Sequence, residues 1–195
     1  MWIKICGMTT AAAVAAALDA GVDAIGFVFA ESVRQLTPAD AARLAVPARG
    51  RVACVAVTRH PSQQALDEII AIFGPDALQT DATDLTRLRV PAELHTLPVL
   101  RGNPPAGSLP ARVLFEGLAS GTGQTCDWPS ARGLARRTEL VLAGGLNPAN
   151  VAAAIAEVQP FGVDVSSGVE SRPGHKDPAA IARFVQAVRT VQETP

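Results

Sequence analysis

Short apolar runs recur along the chain, each closed by turn chemistry and followed by a segment with one apolar and one polar face. Eight of these runs have strand character, over residues 2–6, 24–29, 51–57, 77–80, 98–101, 113–116, 140–143 and 162–166. They are bounded by Gly, Pro, Asp or Ser, and the longest are rich in Val, Ile and Phe, as strands buried on both faces of a parallel sheet should be. The intervening segments carry helix signals. Thr37-Pro38-Ala39-Asp40 offers a capping threonine, a proline at the first helical position and an acid at the third. Asn147-Pro148 and Asp177-Pro178 repeat the cap-then-proline pattern, and Gly21 and Gly74 stand where glycines end helices.

Eight strands alternating with helices select between two α/β layouts. A doubly wound sheet usually has five or six strands, whereas eight parallel strands close into a (β/α)8 TIM barrel. At 195 residues the chain is short for a barrel, which typically needs ~250 residues, so some loops and helices must be trimmed. Between Gly102 and Arg112 lie nine residues, three of them proline (Pro104, Pro105 and Pro110), and the fifth helix should be missing or reduced to a turn. No linker or low-complexity tract divides the chain, so residues 1–195 are expected to form a single α/β barrel domain.

Composition narrows the function. Seventeen Lys and Arg against eighteen Asp and Glu give a net charge of −1; with no basic run, a nucleic-acid partner is not expected. The alanine-rich stretch 10–20 contains Asp19 and is too short for a bilayer, which needs ~20 apolar residues. The N-terminus lacks the layout of a secretion signal. Neither membrane insertion nor secretion is expected. Three cysteines, at 6, 54 and 126, are odd in number and far apart, which suits neither a disulfide framework nor a metal cluster. A reducing cytoplasm fits them.

Barrel active sites lie at the C-terminal ends of the strands. The polar residues there are Cys6, Gln79 with nearby Asp81, Glu116, and Asp164, Ser166 and Ser167. The two-residue strand period places Lys4 beside Cys6, and Asp164 beside Ser166. Gly144-Gly145 follows the seventh strand and Ser166-Ser167-Gly168 the eighth. Backbone N–H groups left open by glycine, serine hydroxyls and a helix N-terminus favour an anion, and barrels frequently bind phosphate in these two loops.

Lys4-Ile5-Cys6-Gly7-Met8-Thr9, Gly26-Phe27-Val28-Phe29, Leu142-Ala143-Gly144-Gly145-Leu146-Asn147-Pro148-Ala149-Asn150-Val151 and Val163-Asp164-Val165-Ser166-Ser167-Gly168-Val169-Glu170 carry a specific resemblance. These strings resemble the phosphoribosylanthranilate isomerase family of tryptophan biosynthesis. The resemblance implies an Amadori rearrangement of a small phosphosugar, from aminoaldose to ketose, without metal or cofactor, by a monomer or homodimer. An acid protonates the furanose ring oxygen and a base removes the C2′ proton.

The family's base falls on Cys6, whose thiolate a nearby cation such as Lys4 should favour. Its acid, an aspartate at the end of the sixth strand, falls on Glu116, which burial in the barrel mouth should keep protonated. Gln79-Thr80-Asp81 stands where the family commonly shows Gln-Leu-His, so the acid could instead be Asp81. Arg34 matches the arginine that faces the anthranilate end, Asp164 a substrate-binding aspartate, and Gly144, Gly145, Ser166 and Ser167 the phosphate cradle. Residues 119–125 resemble a glycine-rich lid. Cys54 is expected in the core and Cys126 in a loop, with His60, His95 and His175 as solvated loop residues. The competing readings are the histidine-pathway aminoaldose isomerase, whose substrate has two phosphates, indole-glycerol-phosphate synthase, whose lysine-rich set and N-terminal extension are lacking, and a non-catalytic phosphosugar-binding barrel.

Overall fold

Trp2-Ile3-Lys4-Ile5-Cys6 runs extended because its branched and aromatic side chains suit a strand covered on both faces; it forms β1 (Trp2–Cys6). The computed structural model describes residues 1–102, 107–117 and 126–193. β2 (Ala24–Val28), β3 (Ala53–Val57), β4 (Ala77–Asp81), β5 (His95–Arg101), β6 (Arg112–Glu116), β7 (Glu139–Leu142) and β8 (Gly162–Val165) follow in chain order. Every neighbouring pair is parallel, and β8 returns to β1 to close the barrel, with Lys4 opposite Asp164.

The helices are α1 (Ala11–Ala20), α2 (Pro38–Ala45), α3 (Gln63–Phe73), α4 (Trp128–Ala135), α5 (Val151–Val158) and α6 (Pro178–Glu193). Thr37 caps α2 by accepting from the Asp40 N–H, with Pro38 at the helix start. Gly21 and Gly74 end α1 and α3 in the left-handed region, as expected. Asn147 behaves differently. Its side chain accepts from the N–H groups of Ala149 and Asn150, so it makes a turn, and α5 starts only at Val151.

Among the described residues no helix lies between β5 and β6, in accord with the proline-rich segment. The fourth helix is lost too, which the sequence did not suggest: β4 reaches β5 through a single 3-10 turn, Asp84–Thr86. β5 also starts at His95 rather than Pro98. Its first two residues are exposed and lack an apolar signal, while Pro98 sits within the strand opposite Thr80.

The two faces of the strands pack separately. Ile3, Ile5, Phe27, Leu78, Phe115 and Val163 join the helices in the outer core. Leu97, Val99, Leu114, Val141 and Ala143 form a smaller cluster inside the barrel, against Trp2 and Phe161. Above this plug the interior is polar, and the site lies there. After β8 a 3-10 turn (Ser167–Val169) leads to an antiparallel hairpin, β9 (Glu170–Arg172) and β10 (His175–Lys176). Among the described residues no helix is long and apolar enough to cross a membrane.

Candidate active site

The parallel register that faces Lys4 with Asp164 also points both side chains inward. The Lys4 ammonium donates to Asp164 Oδ1 at 2.9 Å, and both residues are buried. Burial opposes the lysine's charge, yet Asp164, and after it Cys6, outweigh this and raise its pKa. Cys6 Sγ occupies space left by a missing side chain: a Cβ on Gly26 would come within 2.9 Å of it. Burial pushes the Cys6 thiol up, and Lys4 and Lys176 pull it back without prevailing. Lys4 favours the thiolate, as expected, but burial outweighs it. Desolvation wins, and the resting group is a thiol.

A second network closes the β8 side. Arg34 donates from Nε and Nη2 to the two carboxylate oxygens of Glu170, at 2.7 and 2.8 Å. Lys176 Nζ reaches Glu170 Oε1 at 2.7 Å, the Ser166 carbonyl at 2.9 Å and the Ser166 hydroxyl at 3.2 Å. Burial disfavours the Glu170 carboxylate, but the hydrogen bonds from Arg34 and Lys176 overcome this and bring its pKa down to about 2. The Ser166 hydroxyl donates to the Cys6 carbonyl at 3.1 Å. That proton is committed, so the anion-binding donors of this loop are its backbone N–H groups and Ser167. Across from it, Gly144 and Gly145 both hold positive φ, +90° and +66°, a conformation natural to glycine.

The third arrangement concerns the two acid candidates. Arg101, at the end of β5, donates from Nε to Asp81 Oδ1 at 2.8 Å, and its Nη1 lies 2.5 Å from Glu116 Oε1. One guanidinium thus serves both carboxylates. Both acid candidates therefore share one cation. Sequence reasoning missed Arg101, because only barrel closure reveals what a strand-end arginine faces. Lys176 was missed for the same reason.

His60 is the exposed loop residue expected, and hydrogen bonds also hold it in place. It holds a left-handed backbone, φ 49°, its N–H donates to Asp84 Oδ2 at 2.9 Å, and its Nδ1 lies 2.9 Å from Asp84 Oδ1. Its Nε2 faces Asp81 Oδ2 at 3.5 Å. His60, Asp81 and Asp84 could in principle converge on a metal ion. Arg101 and Arg87 already occupy the two aspartates at 2.8 Å each, which places positive charge where a cation would sit. Cys54 is core, and Cys126 lies outside helix and strand, as expected, but is buried; burial pushes both thiols up to about 11. Residues 119–125 lie outside the described residues.

These pieces line one cavity of about 360 Å³ at the C-terminal end of the barrel. Nine of the eleven site residues expected from the sequence line it. The other two are Lys4, paired beneath the floor, and Asp81, held behind Arg101. Two wall groups, Thr58 Oγ1 and Gln79 Oε1, are buried without a hydrogen-bond partner among the described residues.

A closed parallel barrel with a glycine and serine cradle over strands β7 and β8, facing a thiol and a carboxylate, defines a phosphosugar isomerase type of barrel enzyme. The sequence profile described as N-(5′-phosphoribosyl)anthranilate isomerase matches residues 3–187. The isomerase of that name from Mesorhizobium japonicum is 40% identical over 213 residues, covering 98% of this chain and 96% of the relative. The chain belongs to the N-(5′-phosphoribosyl)anthranilate isomerase family, the aldose–ketose isomerases of tryptophan biosynthesis. Solved structures agree. The Thermotoga maritima isomerase superposes with a TM-score of 0.81 at 28% identity, covering 97% of this chain and 99% of its own. TrpF from Jonesia denitrificans gives 0.80 at 36% identity, with full coverage of both chains.

Proposed function

We propose that this chain converts N-(5′-phosphoribosyl)anthranilate to 1-(2-carboxyphenylamino)-1-deoxyribulose 5-phosphate, with Cys6 as general base and Glu116 as general acid. The observation that carries this is their placement in the wall of one cavity that also holds the glycine and serine cradle. With the phosphate against Gly144, Gly145, Ser166 and Ser167, the sugar spans from that cradle toward the opposite wall. Glu116 delivers a proton to the furanose ring oxygen, and the ring opens to a Schiff base. Cys6 then takes the C2′ proton, giving an enolamine that tautomerises to the ketose. Proton transfers alone account for the reaction, so it calls for no metal or cofactor.

At rest burial favours the Cys6 thiol, so the base form has to be reached in the substrate complex. The buried Lys4 ammonium stands by to stabilise the thiolate, and Asp164 fixes that ammonium while facing the cavity. Gln79 Oε1 offers an unused acceptor to the substrate. A solved phosphoribosyl anthranilate isomerase holds reduced 1-(o-carboxyphenylamino)-1-deoxyribulose 5-phosphate, at 28% identity and a TM-score of 0.77, in keeping with a cavity of this kind. The buried free thiols suit a reducing cytoplasm.

The test is a steady-state assay that follows substrate fluorescence on the purified protein. Saturable conversion to the ketose is expected, and absence of turnover over a range of pH rejects the assignment.

A further inference from the structure

Two charged side chains of the β9–β10 hairpin stand behind the cavity wall. Lys176 and Glu170 are 0% and 4% exposed at their side chains, and neither lines the cavity. An ammonium offers three protons, and Lys176 commits all of them, to the Ser166 carbonyl, the Ser166 hydroxyl and Glu170. The Ser166 hydroxyl in turn donates to the Cys6 carbonyl at 3.1 Å. A line of hydrogen bonds thus runs from the hairpin to the backbone of the residue that bears the thiol. Glu170 is equally occupied, accepting from Arg34, from Lys176 and from the Gly174 N–H, the last at 3.2 Å.

The hairpin is wedged against the loops after β1 and β2. The Gly174 carbonyl, at its turn, accepts from the Thr9 hydroxyl at 2.7 Å, and an added Cβ on Gly174 would come within 2.8 Å of the Val33 carbonyl oxygen. Gly7, which follows the thiol, is pressed as closely. A Cβ there would meet Arg34 Cδ at 2.5 Å, Ser166 Oγ at 3.1 Å and Lys176 Nζ at 3.4 Å. The loops after β1, β2 and β8 therefore converge on one ion pair. The pair also bears on the thiol through charge. Burial raises the Cys6 pKa, Lys4 lowers it, Asp164 raises it and Lys176 lowers it, and Arg34 is a further charge that interacts with Cys6. Burial likewise opposes the Lys176 charge, which Glu170 supports.

We propose that Lys176 and Glu170 are positioning residues: from outside the cavity, the pair fixes the Cys6 backbone against the phosphate loop and adds a positive charge to the surroundings of the thiol. The role rests on the isomerase reading for the reaction it serves. With its three protons bound and no face on the cavity, Lys176 acts through Ser166 and Cys6 and not on the substrate. Its hydrogen bonds keep the base and the phosphate cradle in one frame while the sugar binds between them. Its charge favours the thiolate that removes the C2′ proton, adding to the effect of Lys4.

The test compares Lys176→Gln, which drops the charge, with Gly174→Ala, which disturbs the hairpin and keeps it. The readouts are kcat and KM, thermal unfolding, and the rate of Cys6 alkylation by iodoacetamide at about pH 8, mapped by mass spectrometry. Lys176→Gln should lower kcat by about 10²-fold, the cost of a ~1 Å misplacement, with KM changed less. It should also slow Cys6 alkylation by about tenfold, the effect of one unit of thiol pKa. Gly174→Ala should lower kcat and leave the alkylation rate at the parent value. A parental kcat or a parental alkylation rate in Lys176→Gln overturns the proposal, as does equal slowing of alkylation in Gly174→Ala. Should Lys176→Gln fail to fold, Glu170→Gln carries the test on the other partner: kcat should again fall by about 10²-fold, and a parental kcat overturns the pairing. Alkylation needs no turnover. A parent protein without isomerase activity, whose thiol is still slowed by Lys176→Gln, would reject the isomerase reading and leave the hold of the pair on Cys6 standing.

Discussion

Gly168→Ala tests the phosphate cradle at its tightest point. A Cβ on Gly168 would lie 1.9 Å from the Leu146 carbonyl oxygen, and 2.9 Å from both the Leu146 carbonyl carbon and Asn147 Cβ. An unstrained carbon–oxygen approach is ~3.3 Å, so the two segments must part by roughly 1.4 Å. The closest obstruction is backbone, and no side-chain rotation relieves it. The segments driven apart are those that carry Gly144–Gly145 and Ser166–Ser167. A displacement of ~1 Å costs about 10²-fold in a positioned reaction, so kcat/KM should fall by about that factor. Overpacking of this kind also lowers stability by ~1–3 kcal/mol. The matched control is Gly133→Ala, at an exposed position of α4, where an added Cβ meets nothing within 4 Å. There the helix should gain ~0.5–1 kcal/mol, with activity unchanged. The assays are thermal unfolding and competitive inhibition by inorganic phosphate. A Gly168→Ala protein that binds phosphate as the parent does would refute the placement of the anion between these loops.

Two further predictions concern the reacting groups. Because burial raises the Cys6 thiol above its ordinary value of 9.0, its base form grows as pH rises and is scarce at neutrality. Alkylation of Cys6 by iodoacetamide, mapped by mass spectrometry, should accelerate about tenfold per pH unit from 7 to 9; a plateau near neutrality would reveal a preformed thiolate. Cys6→Ser should fold and bind phosphate yet lose nearly all turnover. Glu116→Gln should lose ~10²–10⁴-fold in rate, the usual worth of a positioned acid. Glu116→Asp should be impaired but measurable, and Asp81→Asn mild. A nearly dead Asp81→Asn beside an active Glu116→Gln would move the acid to β4.

The barrel was legible because most strand residues are buried on both faces, and burial is largely written as short apolar runs. Where that condition fails, so did the reading. His95 and Thr96 belong to β5 but face solvent, and the lost fourth helix leaves only a 3-10 turn at Asp84–Thr86. The motif residues of the site were legible because they are contiguous in the chain: Cys6 with Lys4, Gly144 with Gly145, Asp164 through Ser167. Arg101 and Lys176 were not. Each sits alone in its own segment, and its role depends on which charges three-dimensional closure sets beside it. The same holds for the Cys6 thiol, whose titration is decided by desolvation that no local string encodes.

Lys4 and Asp164 are 160 residues apart, and the hydrogen bond between them spans the seam where the first strand meets the last. A chain emerging from the ribosome therefore carries its thiol from the outset but cannot assemble the surroundings of that thiol until the eighth strand arrives. Partial products of synthesis have no working centre, however much of the wall has already docked. Contacts of such separation also slow folding, since the loop they close must be ordered before they contribute. Until the seam shuts, β1 waits with an unpaired edge, a lysine without its counter-ion and an uncovered cysteine.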